Sequence, residues 1–219
     1  MNAMTRPGGD LRDWIADHLD PIDEACGVEG LTPRSDFDLS PEGWSAPLPD
    51  EPLKPAAVLV GLVEREEGYT VLLTRRSDTL RRHTGQVAFP GGRQDPGEAP
   101  WQTALREAHE EIGLEARYVS LAGLSTRYRT GTGYLVTPVV GFVRPGFTLT
   151  PNPAEVADIF ETPFGFFMDP ANYEEREREL PGGEKRRFYA MTHADRFIWG
   201  ATAGMLRALY DRLYGAAFA

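Results

Sequence analysis

Residues 89–114 read FPGGRQDPGEAPWQTALREAHEEIGL, and this stretch is the most informative part of the chain. Its first part is rich in glycine and proline, which predicts a loop, and the remainder predicts a helix over residues 99–112. Pro100 suits the first helical turn, and Gly113 suits the C-terminal cap. The stretch therefore predicts a loop–helix–loop unit.

One side of this predicted helix is apolar and another is acidic. Four apolar side chains recur at helical spacing and are expected to form one buried stripe: Trp101, Leu105, Ala108 and Ile112. Glu107, Glu110 and Glu111 are expected to project away from that stripe and to lie close together. Because like charges one turn apart on a helix repel each other, a positive group is expected among them.

Two kinds of positive group can answer this repulsion. Arg106 precedes Glu110 by four residues and lies near the helix start, where Glu98 stands. A divalent cation can offset the remaining repulsion among the glutamates, because hard cations such as Mg²⁺ bind carboxylate oxygens together with substrate phosphate and water. The alternative is a solvated acidic face, which is the commoner explanation of paired glutamates on a helix.

The spacing of these residues resembles the Nudix box, G-x5-E-x7-R-E-U-x-E-E-x-G-U, in which U is apolar. Every defined position agrees: Gly92, Glu98, Arg106, Glu107, Ala108, Glu110, Glu111, Gly113 and Leu114. Fixed spacing over so many positions is far more specific than a short glycine motif. The resemblance implies an α/β/α sandwich with a mixed sheet, a loop–helix–loop catalytic motif, and cleavage of a nucleoside diphosphate linked to another group.

The resemblance also implies roles for the box residues. The expected ligands of Mg²⁺ or Mn²⁺ are three glutamates, which form the expected catalytic set together with Arg106: Glu107, Glu110 and Glu111. Glu110 binds either directly or through water. Glu98 and Gly113 are expected to be structural, with an ion pair between Glu98 and Arg106 locking the loop onto the helix. Which carboxylate acts as the base varies across the family, and Glu155 is either a further ligand or a surface acid.

A second pattern stands immediately upstream, over residues 72–92. It is similar to the signature L-L-T-x-R-S-x3-R-x3-G-x3-F-P-G-G of the coenzyme A pyrophosphatase subfamily, and every fixed position agrees. Later segments are similar in the same order, so the resemblance covers about residues 55–210. It implies hydrolysis of CoA or acyl-CoA at the pyrophosphate, giving adenosine 3′,5′-bisphosphate and 4′-phosphopantetheine or its acyl form.

Four residues of this signature are candidates for substrate binding. Arg76 and Arg81 are expected to reach the phosphates of the substrate, because guanidinium groups suit bidentate phosphate contacts. Gly91 and Gly92 are expected to lie against the substrate. The alternative is that the two arginines pair with acids and brace the loop. Replacing Arg81 with alanine is expected to raise KM for CoA more than for a substrate that lacks the 3′-phosphate.

The chain divides into an N-terminal extension and one domain. Residues 1–54 are predicted to form an extension packed on the domain, with helical spacing over residues 10–19, and residues 55–219 to form the Nudix domain. The domain is predicted to contain a hairpin of residues 57–63 and 69–74, strands at 118–124, 134–143 and 156–161, a helical turn at 163–168, a hairpin of 177–180 and 186–191, and a helix at 201–214.

Composition limits the classes of function. The formal charge of −10, from 33 acidic and 23 basic residues, argues against nonspecific nucleic-acid binding. No apolar run approaches the ~20 residues that span a bilayer, and the N-terminus lacks the apolar part of a secretory signal. The single cysteine, Cys26, excludes an intramolecular disulfide. We therefore expect a cytoplasmic monomer or homodimer with a small-molecule substrate and neither a nucleic-acid nor a membrane partner.

Two other functions stay open. An ADP-ribose pyrophosphatase usually carries a proline after the box in a neighbourhood where residues 127–130 have none, and Tyr128 is not well in register with a diadenosine-type tyrosine. A non-catalytic Nudix-like nucleotide-binding module typically loses box acids, whereas this chain keeps all four box glutamates. Phe197 and Trp199 are expected to pack in the core against the last helix and not to stack on a base.

Overall fold

Apolar, β-branched runs form the strands of a nine-stranded mixed sheet in the computed structural model, which describes residues 10–22, 33–39, 52–77, 85–179 and 185–215. The α-helices of these ranges are α1 (Leu11–Asp17), α2 (Pro100–Ile112), α3 (Phe164–Phe167) and α4 (Ala201–Tyr214). The strands are β1 (Arg34–Ser35), β2 (Lys54–Arg65), β3 (Gly68–Arg76), β4 (Val87–Ala88), β5 (Gly91–Arg93), β6 (Val119–Leu124), β7 (Tyr128–Arg129), β8 (Tyr134–Val143), β9 (Val156–Pro163), β10 (Glu174–Glu179), β11 (Lys185–His193) and β12 (Arg196–Trp199).

The predicted first hairpin is confirmed, with Leu62 of β2 opposite Val71 of β3. On its other edge β2 pairs in parallel with β8, from Lys54 opposite Tyr134 to Val63 opposite Val143. Both of these central strands are covered on two faces, which explains their nearly continuous apolar sequences. The long strand over residues 134–143 is likewise confirmed.

Two short strands occupy the space where β2 and β3 diverge. β5 pairs with the start of β2, and β4 pairs with the end of β3, while β2 and β3 pair with each other only next to their turn. The glycine- and proline-rich segment between β4 and β5 therefore enters at the middle of the sheet. It delivers the chain to α2 on one face.

Helices cover both faces of the sheet, which confirms the predicted α/β/α sandwich. On one face, α2 packs into an apolar cluster with the sheet through Ala104, Ala108 and Ile112. On the other face, α4 and α1 pack into a second cluster, to which Leu206 and Ile15 belong. Within the described ranges no helix is both long and apolar enough to cross a membrane.

The predicted apolar stripe of α2 is wrong at one position. Ala104 is fully buried, whereas Leu105 is only half-buried and lies outside the apolar cluster under the helix. Glu111, which is predicted to project away from the apolar stripe, is nevertheless buried, since only 4% of this residue is exposed. Seven residues are close to two helical turns, so Glu111 falls on nearly the same side of α2 as Ala104.

Strands β10, β11 and β12 form a separate three-stranded antiparallel sheet, and its first two strands are the predicted second hairpin. The predicted turn at residues 181–183 lies outside the described residues. The sheet packs through β11 and β12 against α4. We refer to it below as the small sheet.

The described parts of the N-terminal extension contact the rest of the chain at several places in addition to the packing of α1. Asp20 forms a β-bridge with Leu124 and an ion pair with Arg212 of α4. β1 pairs in parallel with β7. The buried Asp36 accepts hydrogen bonds from the Tyr128 hydroxyl at 2.6 Å and from the Arg186 guanidinium at 2.9 Å. The division of the chain at residue 54 stays a prediction.

Candidate active site

Backbone hydrogen bonds fix both ends of α2. Pro100 occupies the first turn, and Gly113 has a left-handed conformation, with φ of 72°, that ends the helix. The backbone carbonyls of Glu111 and Ile112 have no partner within the helix. They accept hydrogen bonds from the amides of Asn152 and Thr150, respectively. Pro100 and Gly113 therefore occupy the first turn and the C-terminal cap of α2, as predicted.

The Arg106 guanidinium joins the loop before α2 to the acidic side of the helix. It donates to Glu98 at 2.8 and 3.0 Å, to Glu107 at 2.9 Å and to Glu110 at 3.2 Å. These hydrogen bonds from Arg106, followed by one from Thr103, lower the pKa of Glu98 to about 2. The arrangement holds the loop against the helix and spreads one positive charge over three carboxylates.

Replacing Glu98 with alanine is expected to destabilise the protein by about 2 kcal/mol, or roughly 5 °C in Tm, because it removes charge-assisted hydrogen bonds. The folded-state pKa of Glu98 is lowered, so its contribution is present above its ordinary value of 4.5 and is lost as pH falls through about 2. Thermal unfolding at pH 7 and pH 3 measures this, and the difference from the unchanged protein should shrink at pH 3. Glu115→Ala, which breaks the exposed pair with Arg117, is the control and should change Tm little.

Gly91 and Gly92 lie directly against the carboxylates of Glu111 and Glu107. The Gly91 amide donates to Glu111 Oε2 at 3.2 Å. A Cβ on Gly92 would stand 2.5 Å from the Glu107 carboxylate, so only glycine leaves room for that side chain. The substrate contacts predicted for Gly91 and Gly92 stay predictions, and the structure shows what these residues do for the glutamates.

Carboxylates from two parts of the chain converge here. Burial raises the pKa of Glu111 to about 7; the Gly91 amide and Arg76 oppose this shift, and Glu107 and Glu155 add to it. Burial also raises the pKa of Glu107, and Glu110 and Glu155 contribute to that increase. Glu110 is the outer member, since 56% of its side chain is exposed.

Asn152 connects the end of α2 to Glu155. Its amide donates to the Glu111 carbonyl at 2.8 Å, and its own carbonyl accepts from the amides of Glu155 and Val156. The Ser77 amide, at the end of β3, donates to the Glu155 carbonyl at 2.8 Å. Glu155 is thus held between the catalytic helix and β3. The sequence singled out Glu155, but no local signal in it indicates the part that Asn152 plays.

Arg76 is the last residue of β3, where the pairing with β9 shifts register. Its positive charge lowers the pKa of Glu111, so Arg76 acts electrostatically on this carboxylate. Its Nε atom is buried and, within the described part of the chain, has no hydrogen-bond partner. The other predicted arginine, Arg81, lies outside the described residues.

The residues present fit a divalent cation. Glu107 and Glu111 are desolvated oxygen donors that repel each other, so a cation between them would offset an unfavourable charge. Among the described residues, no three acid, histidine or cysteine side chains form a complete cage. Mg²⁺ needs none, because it typically binds one or two carboxylates and completes its shell with water and substrate phosphate.

Two expectations about aromatic residues are settled by burial. Tyr128 is 2% exposed and donates to Asp36, so it faces the N-terminal extension and not a substrate. The prediction that Phe197 packs in the core is wrong, since it is 38% exposed. Trp199 is half-buried, and it is absent from the set packed against α4 in the described core.

A mixed sheet with a helix that presents clustered carboxylates beside a glycine loop defines the class of the protein as a Nudix-type hydrolase. The chain matches the family model described as the NUDIX domain over residues 52–185. It is 43% identical over 159 residues to the uncharacterized Nudix hydrolase NudL of Photorhabdus laumondii, covering 72% of this chain and 84% of that one. The NudL of Yersinia enterocolitica is also 43% identical, with 72% and 80% covered. The chain belongs to the Nudix family and is a pyrophosphohydrolase, and Nudix hydrolases generally use divalent metal ions such as Mg²⁺.

Solved structures with related folds are more distant in sequence. The MutT protein of Methanosarcina mazei Go1 is 18% identical, with a TM-score of 0.47 and coverage of 78% of this chain and 99% of that one. A C. elegans Ap4A hydrolase binary complex is 20% identical, with a TM-score of 0.45 and coverage of 50% and 80%. At these values neither structure bears on the substrate.

Proposed function

We propose that the protein hydrolyses the pyrophosphate bond of coenzyme A or acyl-CoA, giving adenosine 3′,5′-bisphosphate and 4′-phosphopantetheine or its acyl form. The observation that carries this proposal is the match of residues 72–92 to the signature of the coenzyme A pyrophosphatase subfamily. Arg76 belongs to that signature; it acts electrostatically on Glu111, and its Nε is buried without a hydrogen-bond partner among the described residues. A guanidinium with free donors next to desolvated carboxylates suits a substrate that brings phosphate oxygens to that point.

Each residue of the site then has a defined task. Glu107 and Glu111 would hold Mg²⁺ or Mn²⁺, with Glu110 acting through water. The bound ion would neutralise the pyrophosphate and lower the pKa of the attacking water. Arg106 orients Glu107 and Glu110 while tying Glu98 to the helix. Glu155 would serve as a further ligand, and this role is supported by the backbone hydrogen bonds that connect it to Asn152 and Ser77.

The alternative proposal is an ADP-ribose or dinucleotide pyrophosphatase. The same carboxylates and Arg76 would serve either substrate, since each contains a pyrophosphate. Burial of Tyr128 removes the tyrosine that a diadenosine substrate would have used for stacking. A non-catalytic nucleotide-binding module is the second alternative, and the retained box glutamates oppose it.

The test is to incubate the protein with CoA, ADP-ribose, NADH and diadenosine polyphosphates in parallel, with Mg²⁺ or Mn²⁺, and to separate the products. We expect CoA to lead in kcat/KM, with release of adenosine 3′,5′-bisphosphate and phosphopantetheine. A lead for ADP-ribose would contradict the CoA proposal and favour the first alternative. Cleavage of none of them would favour the binding module.

Replacing Arg76 with alanine is expected to raise KM for the preferred substrate about tenfold or more while changing kcat little. The reason is that a phosphate contact made equally in the bound substrate and in the transition state contributes to binding alone. Steady-state kinetics measures both constants, with the exposed Arg117→Ala as control. An unchanged KM together with a lower Tm would mean that Arg76 braces the loop.

A further inference from the structure

Three aromatic side chains share one face of the small sheet: Phe188, Phe197 and Trp199. Directly opposite residues of antiparallel strands point to the same face. Phe197 lies opposite Thr192 and Trp199 opposite Ala190, which are alternate positions of β11 with Phe188. The ring centroids of Phe188 and Trp199 are 5.3 Å apart, and those of Phe197 and Trp199 are 6.5 Å apart and nearly parallel. We call this surface the aromatic face.

The aromatic face is not needed for the core of the described molecule. The opposite face of the same strands supplies Met191 and Ile198, both fully buried in the cluster with α4. None of the three rings belongs to either apolar cluster of the described residues, and Phe197 is 38% exposed. Phe188 and Trp199 are half-buried, and a contiguous group of partly exposed large apolar side chains is a candidate binding surface.

One end of the aromatic face adjoins the catalytic loop. β12 packs against β4, and the Thr202 hydroxyl, three residues after Trp199, donates to the Val87 carbonyl at 3.0 Å. β4 in turn pairs with the end of β3 beside Arg76. The chain that leaves β4 continues directly to Gly91 and Gly92.

The other end of the aromatic face adjoins the turn between β7 and β8. Gly131 of that turn lies so close to the Arg186 guanidinium that a Cβ would collide with it. Arg186 precedes Phe188 by two residues and therefore lies on the same face of β11. The aromatic face thus lies between the catalytic loop and the turn that joins β7 to β8.

Positive side chains flank the rings, although the whole chain has a net charge of −10. Arg176 lies over the Phe197 ring at 4.9 Å and pairs with Glu174, and Arg186 pairs with Asp36. Arg178 stands directly opposite Arg186, and no ion pair or hydrogen bond holds its guanidinium among the residues that the structure describes. Within the described part of the chain, the guanidinium of Arg178 therefore provides an unneutralised positive charge at the edge of the aromatic face.

We propose that the aromatic face binds the adenine base of the substrate and that Arg178 contacts the phosphate on its ribose. This inference rests on the proposed function, because a CoA-type substrate carries a 3′-phosphate in addition to the pyrophosphate. Every nucleobase has a flat π-face that stacks on aromatic side chains, and a nearby guanidinium contributes through the phosphate. An acyl chain would use the rings and leave the arginine without a role.

The test measures binding without turnover. Calorimetry with adenosine 3′,5′-bisphosphate and with 4′-phosphopantetheine compares the unchanged protein with Phe188→Leu and with the control Phe147→Leu, a partly buried ring elsewhere. We expect Phe188→Leu to weaken binding of the bisphosphate about tenfold or more and to leave phosphopantetheine unchanged. Thermal unfolding verifies that both variants fold, and Trp199→Leu provides a second variant of the face.

A second pair of variants tests the charge. Arg178→Gln should reduce the preference for adenosine 3′,5′-bisphosphate over AMP by about tenfold. Arg187→Gln, on the opposite face of β11 and near Glu177, is the matched control and should not change that preference. A preference that Arg178→Gln leaves intact would overturn the role of Arg178.

The outcomes separate this inference from the proposed function. If CoA is cleaved but Phe188→Leu and Trp199→Leu bind the bisphosphate normally, the aromatic face is not the adenine site and the function stands. If the binding depends on Phe188 while CoA is not a substrate, the adenine site stands and the proposed function is wrong. If the unchanged protein binds no bisphosphate, the inference is overturned.

Discussion

Replacing Glu111 with glutamine is expected to reduce kcat about 1,000-fold or more. Glu111 is the most buried of the clustered carboxylates and is oriented by the Gly91 amide. Glutamine keeps the size and the hydrogen-bond acceptor but removes the negative charge that would hold the divalent ion, and loss of such charge stabilisation is among the most damaging changes to an active site. Initial rates at saturating Mg²⁺ and Mn²⁺ measure the effect.

The same substitution is expected to leave Tm unchanged or to raise it in metal-free buffer. Burial and the neighbours Glu107 and Glu155 disfavour the charged form of Glu111, so a neutral side chain relieves that cost. Glu110→Gln is the matched comparison on the same helix and should lose about tenfold or less, because its side chain lies largely in solvent. Retention of activity within tenfold by Glu111→Gln would contradict its role, and a sharp fall in Tm would assign the loss to folding.

Replacing Gly92 with alanine is expected to lower kcat about 100-fold. The backbone of Gly92 lies outside the left-handed region, so alanine is permitted there and only the new methyl group matters. That group would stand 2.5 Å from the Glu107 carboxylate and must displace it. A shift of roughly 1 Å in a catalytic group costs on the order of 100-fold in rate.

Gly165→Ala is the control for this substitution, because no atom lies within 4 Å of the Cβ that it would add. For Gly92→Ala, both kcat from steady-state kinetics and the divalent-ion affinity from calorimetry should fall. Neither quantity should change for Gly165→Ala. Normal ion affinity with normal kcat would show that Glu107 accommodates the methyl group. In that case glycine would stand at position 92 for a reason other than the space that Glu107 needs.

Elements with strong local signals were predictable. The hairpin of β2 and β3, the strand β8 and the helices α2 and α4 all have apolar periodicity long enough to identify them. The ends of α2 followed from Pro100 and Gly113, because both residues act through their own backbone conformation. The segment before α2 was predicted as a loop, but β5 within it and β4 just before it were not predicted. Strands of two or three residues exist only through pairing, here with β2 and β3.

The rotation of α2 against the sheet could not be predicted to within one residue. The pattern favoured Leu105 for the core, and the structure buries Ala104 together with Glu111. Both choices fit an amphipathic helix, and the shape of the sheet beneath selects between them. The consequence for the site is large, because the burial of Glu111 raises its pKa to about 7.

The chemistry of α2 and the family of the chain could be inferred from the amino-acid sequence alone. The spacing of Glu98, Arg106, Glu107 and Glu111 lies within one loop and one helix, whose geometry is local. The electrostatic influence of Arg76 and Glu155 on Glu111, and the contact between Phe188 and Trp199, became visible only in the folded chain. Groups far apart in sequence meet through the packing of whole strands and helices, and no short-range spacing records that packing.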